Sequence, residues 1–346
     1  MTAKRTYPTV TIIIPTFNAG RMLSMCLASI RTQEYPRSNI EIIVVDGGSK
    51  DDTIEIAKNY GVDKIIHNPY VRQEMGKAIG VSKASGDIIA FIDADNVLPD
   101  KLWLKKLVKP FLEDETVTGS EPIMFHYRPT DPYMVRYIAL LGCDDPLCHI
   151  LGNRDKWSWV KKNWTDLPIK IVMTRQDYIL VEFDKNIRPP TLGANGFLVR
   201  SKHLRSVDYR PFLDVDVIYK MIKHGYTKYA KVMESIIHLH AFSPTEYIKK
   251  KIKRFYIRNM ISRQDDRYPW RLMKDDIYKI LLHALIVPLF RDVIRGYRTI
   301  PDKAWLIHPL MSIAVLASYG LLFILTRIKK SDKSKLPIEC RRNSRL

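Results

Sequence analysis

Along the first 110 residues, short apolar runs alternate with stretches of helical spacing. Thr9–Ile14 (TVTIII), Glu41–Val45 (EIIVV), Asp63–Ile66 and Asp87–Ile92 (DIIAFI) read as strands. Ala19–Arg31 carries Met22, Leu23, Cys26, Leu27 and Ile30 at helical spacing. Further helices are predicted from a cap at Asp51 or Asp52 through Tyr60, over Val71–Ala84 and over Asp100–Phe111. The strands lack the polar–apolar alternation of a sheet with one wet face. They predict an α/β fold, a doubly wound and mainly parallel sheet with helices on both faces. Residues 120–190, rich in Trp, Tyr and Pro, read as a substrate-facing insertion rather than a further strand–helix unit. A helix near Asp214–His224 and a strand near Val232–His238 close a domain expected to span residues 1–245.

The pattern then changes. In Thr245–Met260, Lys249, Lys250, Lys251, Lys253 and Arg254 interleave with Ile248, Ile252, Phe255 and Tyr256. Residues 246–276 therefore read as a basic amphipathic helix region lying at an anionic membrane surface. Residues 277–328 read as membrane-associated helices. Ile277–Phe290 is apolar but short and broken by Lys279 and His283. Leu306–Leu325 holds 20 residues without a Lys, Arg, Asp or Glu, the length that spans a bilayer. The flank Arg327, Lys329 and Lys330 reads as a cytosolic anchor, and residues 329–346 as a basic tail. Charge favours both ends on the cytosolic side, which requires zero or two crossings; length favours one. A membrane-embedded hairpin with both ends cytosolic is the expectation.

Charge sharpens this division. Lys and Arg number 56 against 37 Asp and Glu, a net +19, and the chain from Glu246 onward holds 23 basic and 9 acidic residues, +14 of that excess. A local anionic partner is implied, either a membrane or a nucleic acid. The basic excess adjoins hydrophobic segments rather than a nucleic-acid motif. A module using Lys249–Arg258 with Phe255 and Tyr256 for stacking is thus the remote alternative, and no nucleic-acid partner is expected. The four cysteines (Cys26, Cys143, Cys148, Cys340) form no CxxC pair and, with no N-terminal signal peptide, read as reduced thiols of a cytosolic domain.

In a doubly wound sheet, ligands bind beyond the carboxyl ends of the strands. Those ends present Pro15-Thr16-Phe17-Asn18, Asp46-Gly47-Gly48-Ser49 and Asp93-Ala94-Asp95-Asn96. Each acid alone reads equally as a cap or turn residue. Together they converge on one crest. Asp93 and Asp95, two apart beyond a buried strand, suit a hard divalent cation, Mn²⁺ or Mg²⁺, completed by substrate phosphates. Neither GxxxxGK[ST] nor GxGxxG occurs, so a P-loop NTPase and a dinucleotide enzyme are unsupported.

Three blocks, VTIIIPTFNAGRMLSMCLASI, EIIVVDGGSKDDT and MGKAIGVSKASGDIIAFIDADN, resemble in order and spacing the inverting glycosyltransferase family 2, of GT-A fold, over roughly residues 8–112. The resemblance implies a nucleotide-sugar donor. Pro15, Thr16 and Asn18 would line the nucleotide pocket, and Asp46 would read the nucleobase edge. Lys77, where the family often has Arg, would face the donor diphosphate. Asp93 would touch ribose or metal, and Asp95 would ligate the metal. Gly193-Ala194-Asn195-Gly196-Phe197 resembles the loop under the acceptor site, giving Asn195 and Gly196 acceptor-side positions. Phe212–Val217 resembles the family's ED-x-D block, with Leu213 replacing its first acid. Asp214 would inherit the role of catalytic base, with Asp216 on the acceptor side. A further metal or diphosphate contact is expected from His238-Leu239-His240, with His240 at the strand end preferred.

The implied reaction is inverting transfer from the nucleotide sugar to a membrane lipid-linked acceptor, with the catalytic domain facing the cytosol. A sugar hydroxyl needs a base to remove its proton, whereas a polyprenyl phosphate is already ionised. A true base at Asp214 favours the hydroxyl acceptor; a polyprenyl-phosphate sugar synthase is the alternative.

Overall fold

The computed structural model describes residues 7–261 and 273–331. Its first half turns the predicted alternation into β1 (Val10–Thr16), α1 (Gly20–Arg31), β2 (Ile40–Asp46), α2 (Thr53–Asn59), β3 (Lys64–His67), α3 (Gln73–Lys83), β4 (Ile88–Phe91), β5 (Asn96–Val97) and α4 (Trp103–Glu113). Strands β3, β2, β1 and β4 pair in parallel in that order. The odd and even residues of β1 enter different cores. Ile12 and Ile14 pack with Leu23 and Leu27 of α1, while Ile13 packs with Ala78 and Val81 of α3. A strand buried on both faces has no polar side to show, which is why its sequence reads as one apolar run.

Beyond α4 the sequence expectation needs correcting. Residues 119–125 are not part of an irregular insertion. They form β6 (Gly119–Phe125), a buried central strand parallel to the last one. Its Pro122 and Glu121 broke the apolar run that would have revealed it. There follow α5 (Tyr133–Leu141), α6 (Pro146–Leu151), a hairpin of β7 (Lys170–Thr174) and β8 (Tyr178–Glu182), β9 (Phe197–Arg200), α7 (Ser201–Arg205), α8 (Asp214–Lys223) and β10 (Lys228–His238). The sheet has ten strands in the order β3-β2-β1-β4-β9-β6-β10-β8-β7, with β5 pairing β10. Strand β9 runs antiparallel to both β4 and β6, so the sheet is parallel in its first half and mixed beyond.

The C-terminal elements are α9 (Pro244–Ile261), α10 (Lys274–Ala284), α11 (Val287–Thr299) and α12 (His308–Ser331). They form a layer on α5 and α6. Ionic and polar contacts pin it at several points. Arg188 holds Asp276 through two hydrogen bonds of 3.0 and 3.1 Å. Asp302 takes Tyr127 Oη at 2.6 Å. Asp144 accepts Lys251 at 3.0 Å and Arg254 at 2.7 Å, and Asp145 accepts Tyr319 Oη at 2.5 Å. Helix α9 does not present all its lysines to solvent: Tyr247 and Lys251, one turn apart, are buried inward, while Lys249 and Lys253 are exposed. Phe255 stacks on Tyr319 with ring centres 4.8 Å apart, so its ring is occupied within the fold.

The apolar segment Ile277–Phe290 is not one helix. It breaks at Ile286, which has a positive φ of 68°. Along α12, His308, Met311, Ser312 and Val315 are buried against the domain. Leu310, Leu321, Phe323, Ile324 and Leu325 are exposed, as are Leu281 on α10, Val287 and Phe290 on α11, and Leu285 between those two helices. One stretch, Lys303–Leu325, is long and apolar enough to cross a membrane by length and composition. The basic tail from residue 332 and the side chains of Arg327, Lys329 and Lys330 lie outside the described residues.

Candidate active site

The crest is assembled by strand ends and one register choice. β1 and β2 pair up to Thr16↔Asp46, which brings their C-terminal loops together. Thr16 donates to Asp46 Oδ1 at 2.9 Å. Asp46 also accepts the backbone N–H groups of Gly48 and Ser49, each at 2.8 Å, and the Ser49 hydroxyl at 2.5 Å. Burial pushes this carboxyl up, but the bonds from Ser49, Thr16 and Gly48 outweigh it and hold the group below the usual carboxylate range. Four hydrogen bonds fill the carboxylate's acceptor sites, so Asp46 fixes the loop's shape. Asn18, in the left-handed region at φ 49°, ties the two loops together: its N–H donates to Ser49 Oγ and its Oδ1 accepts Lys50 N–H, both at 2.8 Å. Pro15 lies buried in β1 beside them.

Lys77 reaches the crest from α3, which lies so close to β1 that a Cβ on Gly80 would sit 2.5 Å from Ile13 Cγ2. The lysine is buried, with Nζ 2.9 Å from Asp214 Oδ1 and 3.3 Å from Asp93 Oδ1. Phe91 and Phe212 flank it, with ring centres 5.7 and 6.0 Å from Nζ. Burial works against its charge, but Asp214 and Asp93 hold its pKa above the ordinary value. For Asp214 the balance runs the other way. Burial, reinforced by the neighbouring Asp93, lifts its carboxyl above the usual range despite Lys77. Asp214 opens α8 and lines a cleft with Gln73, Glu74, Lys77, Phe212 and Asp216.

The two acids of the DAD sequence part company. Asp93 turns to Lys77 and accepts Gln73 Nε2 at 2.7 Å. Asp95 turns to β10. The pairing of β5 with β10 sets His238 opposite Asn96, and Leu239 N–H donates to the Asp95 carbonyl at 2.8 Å. Asp95, His238 and His240 consequently offer ligand atoms that all lie within 4.8 Å of one another, and Asp93 is outside that group. His238 Nε2 is 3.6 Å from Asp95 Oδ2. Buried His238 Nδ1 and His240 Nε2 have no hydrogen-bond partner. Burial and the nearby Lys251 push His240 well below the usual imidazole range. One carboxylate with two imidazoles, two of whose nitrogens lack partners, fits a divalent cation. The nitrogen content suits Mn²⁺ better than Mg²⁺, which prefers an all-oxygen shell.

Asn195 and Gly196 sit beside these groups. Asn96 Nδ2 donates to Asn195 Oδ1 at 3.1 Å, and Asn96 Oδ1 accepts Asp93 N–H at 3.1 Å, so one buried amide joins the two loops. Gly196 has φ 86°, and a Cβ there would meet Ile236 Cδ1 at 2.8 Å and Trp103 Cζ2 at 2.9 Å. Sequence reasoning missed Gln73 and Asn96. The signal for Gln73 was available: it lies one helical turn before Lys77 on the same face. Asn96 carried none beyond following Asp95.

Residues 11–178, just under half of the chain, match the model of glycosyl transferase family 2. Glycosyltransferase AglE of Haloferax volcanii is 34% identical over 120 residues, which are 33% of this chain and 37% of AglE. A Methanococcus voltae relative is 32% identical over 119 residues, 33% of this chain and 36% of the relative. Its name is dolichyl N-acetyl-alpha-D-glucosaminyl phosphate 3-beta-D-2,3-diacetamido-2,3-dideoxy-beta-D-glucuronosyltransferase. The chain thus spans little more than a third of the length of these relatives. Among solved structures, the mannosyltransferase PcManGT from Pyrobaculum calidifontis, in complex with GDP-Man and Mn²⁺, superposes with a TM-score of 0.49 at 16% identity. That superposition covers 90% of this chain and 86% of the other.

Proposed function

We propose that this chain transfers a sugar, with inversion, from a nucleotide-sugar donor to a hydroxyl of a lipid-linked glycan at a membrane surface. The observation that carries this reading is the Asp214–Lys77–Asp93 bridge beside Asp95, His238 and His240. It puts one carboxylate of raised pKa at the cleft and a buried cation next to the candidate metal ligands.

Thr16, Asn18 and Asp46 shape the nucleotide pocket, with Asp46 acting through its loop. Asp95, His238 and His240 would hold a divalent cation, which would supply charge relief for the leaving diphosphate. Lys77 adds a second positive charge there and holds Asp93 and Asp214 in place. Asp214 takes the proton from the acceptor hydroxyl as that oxygen attacks the sugar, and its raised pKa brings its basicity nearer the working pH. Asn195, Gly196 and Asp216 form the acceptor-side wall.

A phosphate acceptor is the second reading. It is favoured by Arg254, half exposed on α9 and acting electrostatically on Asp214. Incubating the protein with a panel of nucleotide sugars, Mn²⁺ and lipid-linked acceptors, and reading the product's anomeric configuration by NMR, tests the proposal. Retention at the anomeric carbon, or no transfer from any donor, overturns it.

The membrane association is proposed as in-plane rather than spanning. The first three turns of α12 are packed on the domain through His308, Met311, Ser312 and Val315. The exposed apolar side chains of α10, α11 and the end of α12 then dip into one leaflet beside the exposed lysines of α9.

A further inference from the structure

A second set of metal-type donors lies away from the crest, where the C-terminal layer meets the catalytic domain. His149 on α6, Asp292 on α11 and His308 at the start of α12 have ligand atoms that all lie within 4.8 Å of one another. All three side chains are completely buried. His149 Nε2 is 3.1 Å from Asp292 Oδ2, close to the separation of about 3.3 Å that neighbouring ligands take around a tetrahedral ion with bonds of about 2.05 Å. The two imidazoles meet edge to face with ring centres 5.6 Å apart.

Internal bonding leaves this set incomplete. His149 Nδ1, Asp292 Oδ1 and His308 Nε2 are buried and have no hydrogen-bond partner. A lone His–Asp hydrogen bond does not need a third, unbonded imidazole beside it. His308 Nδ1 lies 3.0 Å from Tyr137 Oη. Donation of Nδ1–H to that oxygen leaves the Nε2 lone pair free, the arrangement by which an outer hydrogen bond orients a ligating histidine. Arg154 and Lys161 act on the cluster electrostatically, but neither is bonded to it.

We propose that His149, Asp292 and His308 form a structural divalent-metal site of zinc type that rivets the C-terminal helices to the catalytic domain. Two imidazoles and a carboxylate are a zinc donor set, and a water completes four-coordination. One ligand comes from the catalytic domain and two from the C-terminal layer. The ion therefore links the elements that carry the exposed apolar surface to the domain that carries the crest.

The test uses the full chain, purified after growth with Zn²⁺ and dialysed against metal-free buffer. Metal content by mass spectrometry is compared for the wild type, the double variant Asp95→Ala/His240→Ala, which disables the crest ligands, and that double variant with Asp292→Asn or His308→Gln added. One equivalent of Zn²⁺ is expected to stay in the double variant and to fall at least 10-fold when Asp292→Asn or His308→Gln is added to it. Replacement by Co²⁺ should give the visible absorption of a four-coordinate ion in the double variant. Circular dichroism separates loss of the site from loss of the fold. The double variant decides the question even if the variant with His308→Gln added does not fold: no retained Zn²⁺ and no Co²⁺ band in the double variant overturn the proposal, as does full retention in a folded protein carrying His308→Gln in that background.

Discussion

Among the described residues, two clusters share one composition, two histidines and an aspartate, in opposite settings. Asp95, His238 and His240 sit on the crest, where the Asp95 side chain keeps 20% of its surface exposed. His149, Asp292 and His308 are sealed between two layers with no exposure. A group that must meet a diphosphate needs an open coordination position, so partial exposure fits chemistry. A sealed set touches no substrate, and its effect is confined to holding helices together. The same residue types thus acquire different uses from their access to solvent, which composition does not record.

The sharpest way to break this comparison is to remove a crest ligand. Asp95→Ala should lower kcat by about 100- to 1,000-fold, as loss of a transition-state charge partner does, and leave the thermal unfolding temperature within a few degrees of wild type. A collapse of stability together with unchanged turnover would reverse the roles of the clusters.

The proposed base comes next. Asp214→Asn should cost about 100-fold or more in kcat with a hydroxyl acceptor and little in donor KM. A near-normal rate points instead to a phosphate acceptor. Because Lys77 holds the Asp214 pKa down, Lys77→Met should raise it further. A base must be deprotonated to act, so the acid limb of the kcat–pH profile moves to higher pH. An acid limb that stays in place would detach Asp214 from catalysis.

A smaller effect probes the acceptor wall. Gly196→Ala strains a positive φ and pushes a Cβ onto Trp103 and Ile236, which should cost about 1–3 kcal/mol in chemical unfolding. The smallest stability effect is expected at the membrane face. Leu321→Glu with Phe323→Glu changes exposed side chains and should shift unfolding by about 0.5 kcal/mol or less, while binding to anionic vesicles falls markedly. Unchanged vesicle binding would remove this face from the membrane.

Legibility followed the range of the interactions. The strand–helix alternation of residues 9–113 was readable because burial on both faces of β1, β2 and β4 imposes apolar runs, and helix spacing imposes the rest. The strand-end positions of Asp46, Asp93 and Asp95 followed from that alternation. β6 was not readable, since Pro122 and Glu121 interrupt it and its place depends on pairing with β10, about a hundred residues on. The packing of α9 through Lys251 was equally hidden, because its partner Asp144 lies far away in sequence.

The sequence by itself determined the local elements, the crest on which the acids gather and the basic, apolar character of the C-terminal layer, all of which follow from short-range periodicity and charge. Only the tertiary structure decided that Asp93 turns to Lys77 while Asp95 turns to the histidines, and that α12 lies packed on the domain. It alone brought His149 to Asp292 and His308. Those outcomes depend on sheet register and on contacts between segments more than a hundred residues apart, where side-chain spacing carries no information.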